Sequence, residues 1–189
     1  MTLPRGFKAQ AERDVQALRK KIGAKPSTRL DLHAVAAEIG ARIVAADRLV
    51  PIERLREIEG IQAYSFSACT FEINDQPIIV FNPIRTAPRQ RSDVAHEMAH
   101  IILEHDLTEI QHLDDVAFRT CQPDQEEQAT AFAGTLLLPR PVLLREASRN
   151  ATVDQVAKKF GVTRKMAEYR WNTTGVARQV AAGRDKRRS

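Results

Sequence analysis

Near the middle of the chain stands the run His96-Glu97-Met98-Ala99-His100. Two histidines four positions apart fall on one face of a helix, a turn from each other. Both imidazoles can then reach one metal ion, and Zn²⁺ accepts histidine nitrogen readily. A carboxylate beside the first histidine would stand at the open position of that metal. There it can take a proton from a bound water and pass it to a leaving amine. The pattern makes His96 and His100 candidate ligands and Glu97 a candidate general base and acid. A five-residue match also arises by chance, with its charges on a solvated surface. The neighbours argue against that here. Val94, Ala95, Met98, Ala99, Ile101, Ile102 and Leu103 surround the run with apolar side chains, so the helix is expected to be buried. Buried imidazoles and carboxylates are costly unless something satisfies them, and a metal does so.

A catalytic zinc site takes three protein ligands and keeps one position open. Asp106 lies ten residues past His96, but position 103 is Leu where a turn-forming glycine is wanted. On that reading Asp106 continues away along the helix axis, and His105 fails on spacing. The better candidate lies in Gln125-Glu126-Glu127-Gln128-Ala129-Thr130-Ala131-Phe132-Ala133. Helical spacing puts Glu126, Ala129 and Ala133 on one face, and the alanines allow close packing against the histidine helix. Glu127 lies about 100° further round and points elsewhere. The blander reading of Glu126 is an exposed first-turn charge favoured by the helix dipole.

HEMAH, then E-x-x-A-x-x-F-A from Glu126 to Ala133, then Leu136-Leu137-Leu138-Pro139, resembles the ImmA/IrrE family of bacterial zinc metallopeptidases. The run from Val153 to Thr163 and Arg170 fit the same pattern, so the resemblance extends from about Leu30 to about Gly175. Thr130 stands where the family often has Asn and Leu138 where it often has Met; neither replaces a ligand. The resemblance implies a zincin-like α+β fold and Zn²⁺ held by His96, His100 and Glu126. It implies a protein substrate, typically a DNA-binding transcriptional repressor encoded nearby, whose cleavage lifts repression of a mobile element or a stress response. It also makes the strand ending at Asn82 the candidate for main-chain pairing with substrate. The donor that stabilises the oxyanion stays open between Tyr169, His105 and His112. Asp93 is either a support for a histidine's distal nitrogen or a surface carboxylate.

The elements that must position these groups can be read from periodicity. Lys8 to Ile22 carries one apolar stripe and reads as a helix. Asp31 reads as the N-cap of a second helix that Gly40 ends, and Ala41 to Ala46 as a strand. Pro51 to Glu59 is either a charged helix or a lid-like loop. Gln62 to Phe66, Thr70 to Ile73 and Ile78 to Phe81 read as strands, with a turn at Asn74-Asp75-Gln76-Pro77. The expected fold is thus α+β, mostly helical, with a small antiparallel sheet before the histidine helix. His105 to Pro123 reads as a polar connector holding His112, Asp114 and Asp115. After Pro141 come three helical pieces, with caps at Thr152 and Thr163 and a turn at Gly161. With Arg164, Lys165 and Arg170 they form a helix-turn-helix-like pattern. Its residues read either as a DNA contact or as a packing appendage built on Val156, Phe160, Val162, Met166 and Tyr169. Gly183 to Ser189 reads as a short basic end.

Composition bounds the answer. At 189 residues with 43% hydrophobic content, the chain is one core, 1–139, plus a basic helical segment, 140–189, expected to pack on it. No apolar run approaches the ~20 residues of a membrane span. The charged, amphipathic N-terminus lacks a signal-like apolar stretch, so a cytoplasmic location is expected. Cys69 and Cys121 are then most simply free thiols. The net charge is +5, split as −4 over residues 1–139 and +9 over 140–189. Such asymmetry suits either an anionic partner or a solubilising tail. Two functions remain: a zinc endopeptidase, or a regulator with a structural zinc and a C-terminal region that binds DNA or a partner. Glu97 favours the enzyme. A structural zinc needs no carboxylate beside an open position and usually has four protein ligands, often Cys.

Overall fold

The computed structural model describes residues 3–25, 28–62, 66–105, 110–113, 116–119 and 122–185, with the backbone alone at 110–113, 116–119 and 184–185. The fold is α+β and mostly helical. Helix α1 (Phe7–Lys21) buries the stripe of Ala11 and Val15. Helix α2 (Leu32–Glu38) starts at Asp31, whose Oδ1 accepts from the His33 and Ala34 N–H groups. Strand β1 (Arg42–Ala45) follows, and the charged stretch after Pro51 is helix α3 (Ile52–Ile61) rather than a loop.

Strands β2 (Ala68–Ile73) and β3 (Gln76–Phe81) form a hairpin. Its turn is the pair Asn74 and Asp75, with φ 52° and 60°, a left-handed geometry these two residue types tolerate well. Gln76 and Pro77, expected in the turn, already belong to β3. Of the expected strand at Gln62 to Phe66, Gln62 ends α3 and positions 63–65 lie outside the described residues.

The sheet order is β1-β3-β2. It is mixed, not purely antiparallel: β1 runs parallel to β3, with Arg42 opposite Ile78 and Ala45 opposite Phe81. A parallel neighbour needs a crossover connection, and α3 with the hairpin supplies it. The strand ending near Asn82 is therefore central, with both edges paired, and cannot be the edge that takes up substrate. Strand β2 is the edge strand on the hairpin side. Asn82 is itself consumed locally: its side-chain amide donates to the Phe66 carbonyl and its Oδ1 accepts from the Ile84 N–H.

One face of the sheet, through Ile79, joins the main core under α4 (Ala87–Ile102), and the other packs Ile78 and Val80 against Leu55 of α3. Helix α5 (Pro123–Leu137) lies against α4, with Ala95 and Ala99 of one and Ala129 and Ala133 of the other all buried. The connector between these helices holds a second hairpin, β4 (Ile110–Leu113) with β5 (Val116–Arg119). His112 lies on β4 with its side chain outside the described residues, as do Asp106, Asp114, Asp115 and Cys121.

The C-terminal part continues the same core. Helices α6 (Arg140–Ser148), α7 (Val153–Phe160), α8 (Arg164–Thr174) and α9 (Val176–Asp185) bring Val142, Leu143, Phe160 and Val176 into one cluster with Val15, Ala99 and Phe132. Thr152 and Gln155 make a reciprocal capping box for α7. Gly161, with φ 64°, ends α7 and leaves room for the Arg29 guanidinium, which a Cβ would meet at 2.8 Å. Helix α9 is a departure from expectation. Gly183 sits inside it instead of opening a loose tail, because Val176 is fully buried and packs the helix back onto the core.

Arg170, one of the basic residues weighed as a DNA contact, points inward. Its Nη2 donates to Glu12 Oε1 at 2.6 Å and its Nε to the Leu138 carbonyl at 3.1 Å. Burial lowers its proton affinity, and Glu12 opposes that loss. It ties α1, the end of α5 and α8 together. Arg170→Met is expected to lower stability by about 3 kcal/mol, since it leaves Glu12 and a buried carbonyl unpaired. A denaturant midpoint unchanged within error would show that the pair adds nothing.

Candidate metal centre and its cleft

Helix α4 presents His96 and His100 one turn apart, and their Nε2 atoms lie 3.1 Å from each other. Glu126, in the first turn of α5, completes the group. Its Oε2 is 3.1 Å from His96 Nε2 and its Oε1 3.2 Å from His100 Nε2. Ligand atoms around a tetrahedral ion with bonds of about 2.0–2.1 Å stand about 3.3–3.4 Å apart. The two imidazole nitrogens match that spacing to a few tenths of an ångström, and each ring faces one oxygen of the Glu126 carboxylate at a similar distance. Two imidazoles and a carboxylate in this arrangement could hold a metal ion, and among the described residues they form the one such group. Glu127 is not part of it. Burial works against a charged His96. The hydrogen bond and charge of Glu126, with the charges of Glu97 and Asp93, outweigh burial and raise its proton affinity. A metal would compete with that proton.

Glu97 stands beside this group, and the hydroxyl of Thr70 on β2 donates to its Oε2 at 2.7 Å. Thr70 is 1% exposed, so the contact fixes the carboxylate from the protein side. Reading the sequence as strands and helices missed Thr70. The available signal was its place at an inward position of a strand next to the histidine helix.

His105 does not face the reacting side. Helix α4 ends at Ile102, and Glu104 adopts φ 52°, so the chain turns back without a glycine. The His105 N–H bonds to the His100 carbonyl, and its ring Nδ1 lies 3.1 Å from His100 Nδ1, behind that ring. The assumption that the chain runs on along the helix axis past Leu103 is thereby corrected. If His100 is to offer a lone pair at Nε2, its proton sits on Nδ1, and His105 accepts it there. Burial, and next the His100 ring, lower the proton affinity of His105, which keeps it in the accepting form. His105→Ala is expected to weaken metal binding about 10–100-fold, as loss of an outer support does. A competitive zinc titration checks this, and equal affinities would reduce His105 to packing. Asp93, weighed as such a support, is instead held by Arg89 at 2.8 Å. Burial raises its proton affinity against the pull of Arg89.

The group opens into a cleft of about 520 Å³. Ser67 and Ala68, at the start of β2, form one wall; Lys165, Met166 and Tyr169 of α8 form the other. Of the three oxyanion candidates, Tyr169 lines this space and His105 sits behind His100. Lys165, Met166 and Tyr169 of α8 thus line the same cleft as Glu97.

Residues 62–172 match the family described as the IrrE N-terminal-like domain, Peptidase_M78. The match begins just before β2 and ends within α8, so it spans every element that builds the cleft. It covers more than half of the chain, which belongs to this metallopeptidase-like family. No curated protein and no solved structure matches the chain.

Proposed function

We propose that the chain is a zinc-dependent endopeptidase that cuts a specific protein substrate in the cytoplasm. The substrate is a DNA-binding transcriptional repressor of a mobile element or stress response. One observation carries this reading: His96, His100 and Glu126 converge at the floor of an open cleft with Glu97 beside them. Among the described residues the group has three members, as a catalytic zinc site with an open position requires. No helix among the described residues is long and apolar enough to cross a membrane.

His96, His100 and Glu126 would hold the metal, which supplies a Lewis acid for the scissile carbonyl and lowers the pKa of water. Glu97, steadied by Thr70, accepts the proton of the attacking water and returns it to the leaving nitrogen. The outer edge of β2 takes an extended substrate segment by main-chain pairing, next to Ser67 and Ala68 in the cleft wall. Tyr169 is positioned to donate to the developing oxyanion.

The test is cleavage of the repressor encoded nearby, before and after chelation. Stripping the metal is expected to abolish cleavage and stoichiometric zinc to restore it. Cleavage that persists in metal-free protein would exclude the reading.

A further inference from the structure

A second cleft, of about 450 Å³, lies on the other side of α4 and shares no residue with the first. Ile43, Phe81 and Val94 give it an apolar floor, and Arg29 and Arg91 line it with positive charge. Arg91 is the unusual group. It is 8% exposed, and buried arginine is rare unless an acid is paired with it. Among the described residues it has no ion pair. Its Nη2 donates to the Leu30 carbonyl, and its Nε has no hydrogen-bond partner. Asp31, the carboxylate in the lining, accepts with its Oδ1 from the start of α2. Burial first, then the neighbouring charges of Arg29 and Arg19, push the Arg91 guanidinium down to about 10, with only Asp31 pulling the other way. Asp31 offsets part of this charge, which leaves the two guanidiniums in excess over one carboxylate.

A second feature of the same cleft has the same sign. Ala87 and Gln90 put the first turn of α4 in its wall. That turn has no side-chain cap and no acidic residue. Pro88 carries no N–H and the Arg89 and Gln90 N–H groups bond to the Thr86 carbonyl, so it is the dipole of the 16-residue helix that adds to the two guanidiniums.

We propose that this cleft binds a small organic anion, a carboxylate or phosphate monoester on an apolar body. The anion is held by Arg29 and Arg91, with the positive end of α4 beside them, and its body rests on Ile43, Phe81 and Val94. A volume of this size suits a ligand of that kind. The occupant would sit on the helix that carries His96 and His100. The binding claim does not depend on peptidase activity and is tested without it.

At 21.2 kDa the full chain suits amide-resolved NMR. The probes are phenyl phosphate and benzoate, with neutral benzyl alcohol as the control. The expected result is saturable shifts at His33, Ala87 and Gln90 for at least one anion and none for the alcohol. Arg29→Gln is expected to weaken binding about ten-fold, as loss of one charge-assisted hydrogen bond does. Arg29 is exposed and its guanidinium lies over Gly161 at the surface. A circular-dichroism melt confirms that Arg29→Gln is folded, and this variant decides the matter even where Arg91→Gln does not fold. Tighter binding of phenyl phosphate identifies the headgroup as a phosphate, and tighter binding of benzoate as a carboxylate. Shifts confined to Thr130, Lys165 and the first cleft, or affinities untouched by Arg29→Gln, would overturn the proposal.

Discussion

With Glu97 replaced by glutamine, the chain is expected to keep its full complement of zinc and to cleave its substrate about 10²–10⁴-fold more slowly, the usual contribution of a positioned proton-transfer group. Glutamine has nearly the shape of glutamate and can still accept the Thr70 hydroxyl, so the packing between β2 and α4 is preserved. What it cannot do is take up a proton. The three groups that converge on one point do not include Glu97, so the metal content should not follow the mutation. Paired metal analysis and cleavage assays separate the possibilities. A variant that loses metal would make Glu97 a ligand. A variant that cleaves at the natural rate would remove it from the chemistry and leave the metal with a structural part.

Local signals in the sequence carried far where the structure is itself local. The caps at Asp31, Thr152 and Thr163 are made by the side chains expected to make them, because a cap depends only on a few adjacent residues. Helix α1 follows the spacing of its apolar positions, and α4 is buried as its apolar neighbours imply. The separation of Glu126 from Glu127 is of the same kind, since a difference of one position decides which way a helical side chain points.

The features that were not legible depend on contacts distant in sequence. Nothing within Ile78 to Phe81 says that β1, more than thirty residues earlier, pairs alongside it. Without that pairing β3 looks like a free edge. Arg170 looks like any surface arginine until Glu12 and the Leu138 carbonyl close around it. Helix α9 packs on α6 and α8, contacts that bring Val176 into the core and that no local signal announces. Glu104 in a left-handed conformation is a choice the sequence rules disfavour. It brings His105 behind His100, which is where the tertiary structure can use it.

The charge asymmetry between the two parts of the chain takes a different meaning from these contacts. Part of the C-terminal excess is paired: Arg170 is buried against Glu12, and the exposed Lys159 meets Glu146 at 2.6 Å. Lys165 lines the cleft. The positive charge of α8 therefore bears on the cleft and the core, which leaves fewer cations of this helix for a nucleic-acid backbone. Cation contacts of that kind dominate DNA affinity and its dependence on salt.

The ligand set meets its sharpest check at the start of α5. Glu126→Gln is expected to lower zinc affinity by more than the about 10–100-fold of an outer-sphere loss, and Glu127→Gln to leave it unchanged. Both changes remove one negative charge from the same helical turn, so their effects on the helix dipole are alike. They differ in direction: Glu126 reaches His96 and His100 at 3.1 and 3.2 Å, whereas Glu127 is absent from the converging group. A glutamine at 126 keeps one oxygen but no charge, and a neutral amide is a poor partner for a divalent cation beside two imidazoles. It also removes the carboxylate that raises the proton affinity of His96, so the free protein should release a proton from that ring more readily. Equal losses in the two variants would mean that charge near the helix start, not coordination by Glu126, holds the metal. A loss in Glu127→Gln alone would rotate α5 by one position and overturn the arrangement of the cleft.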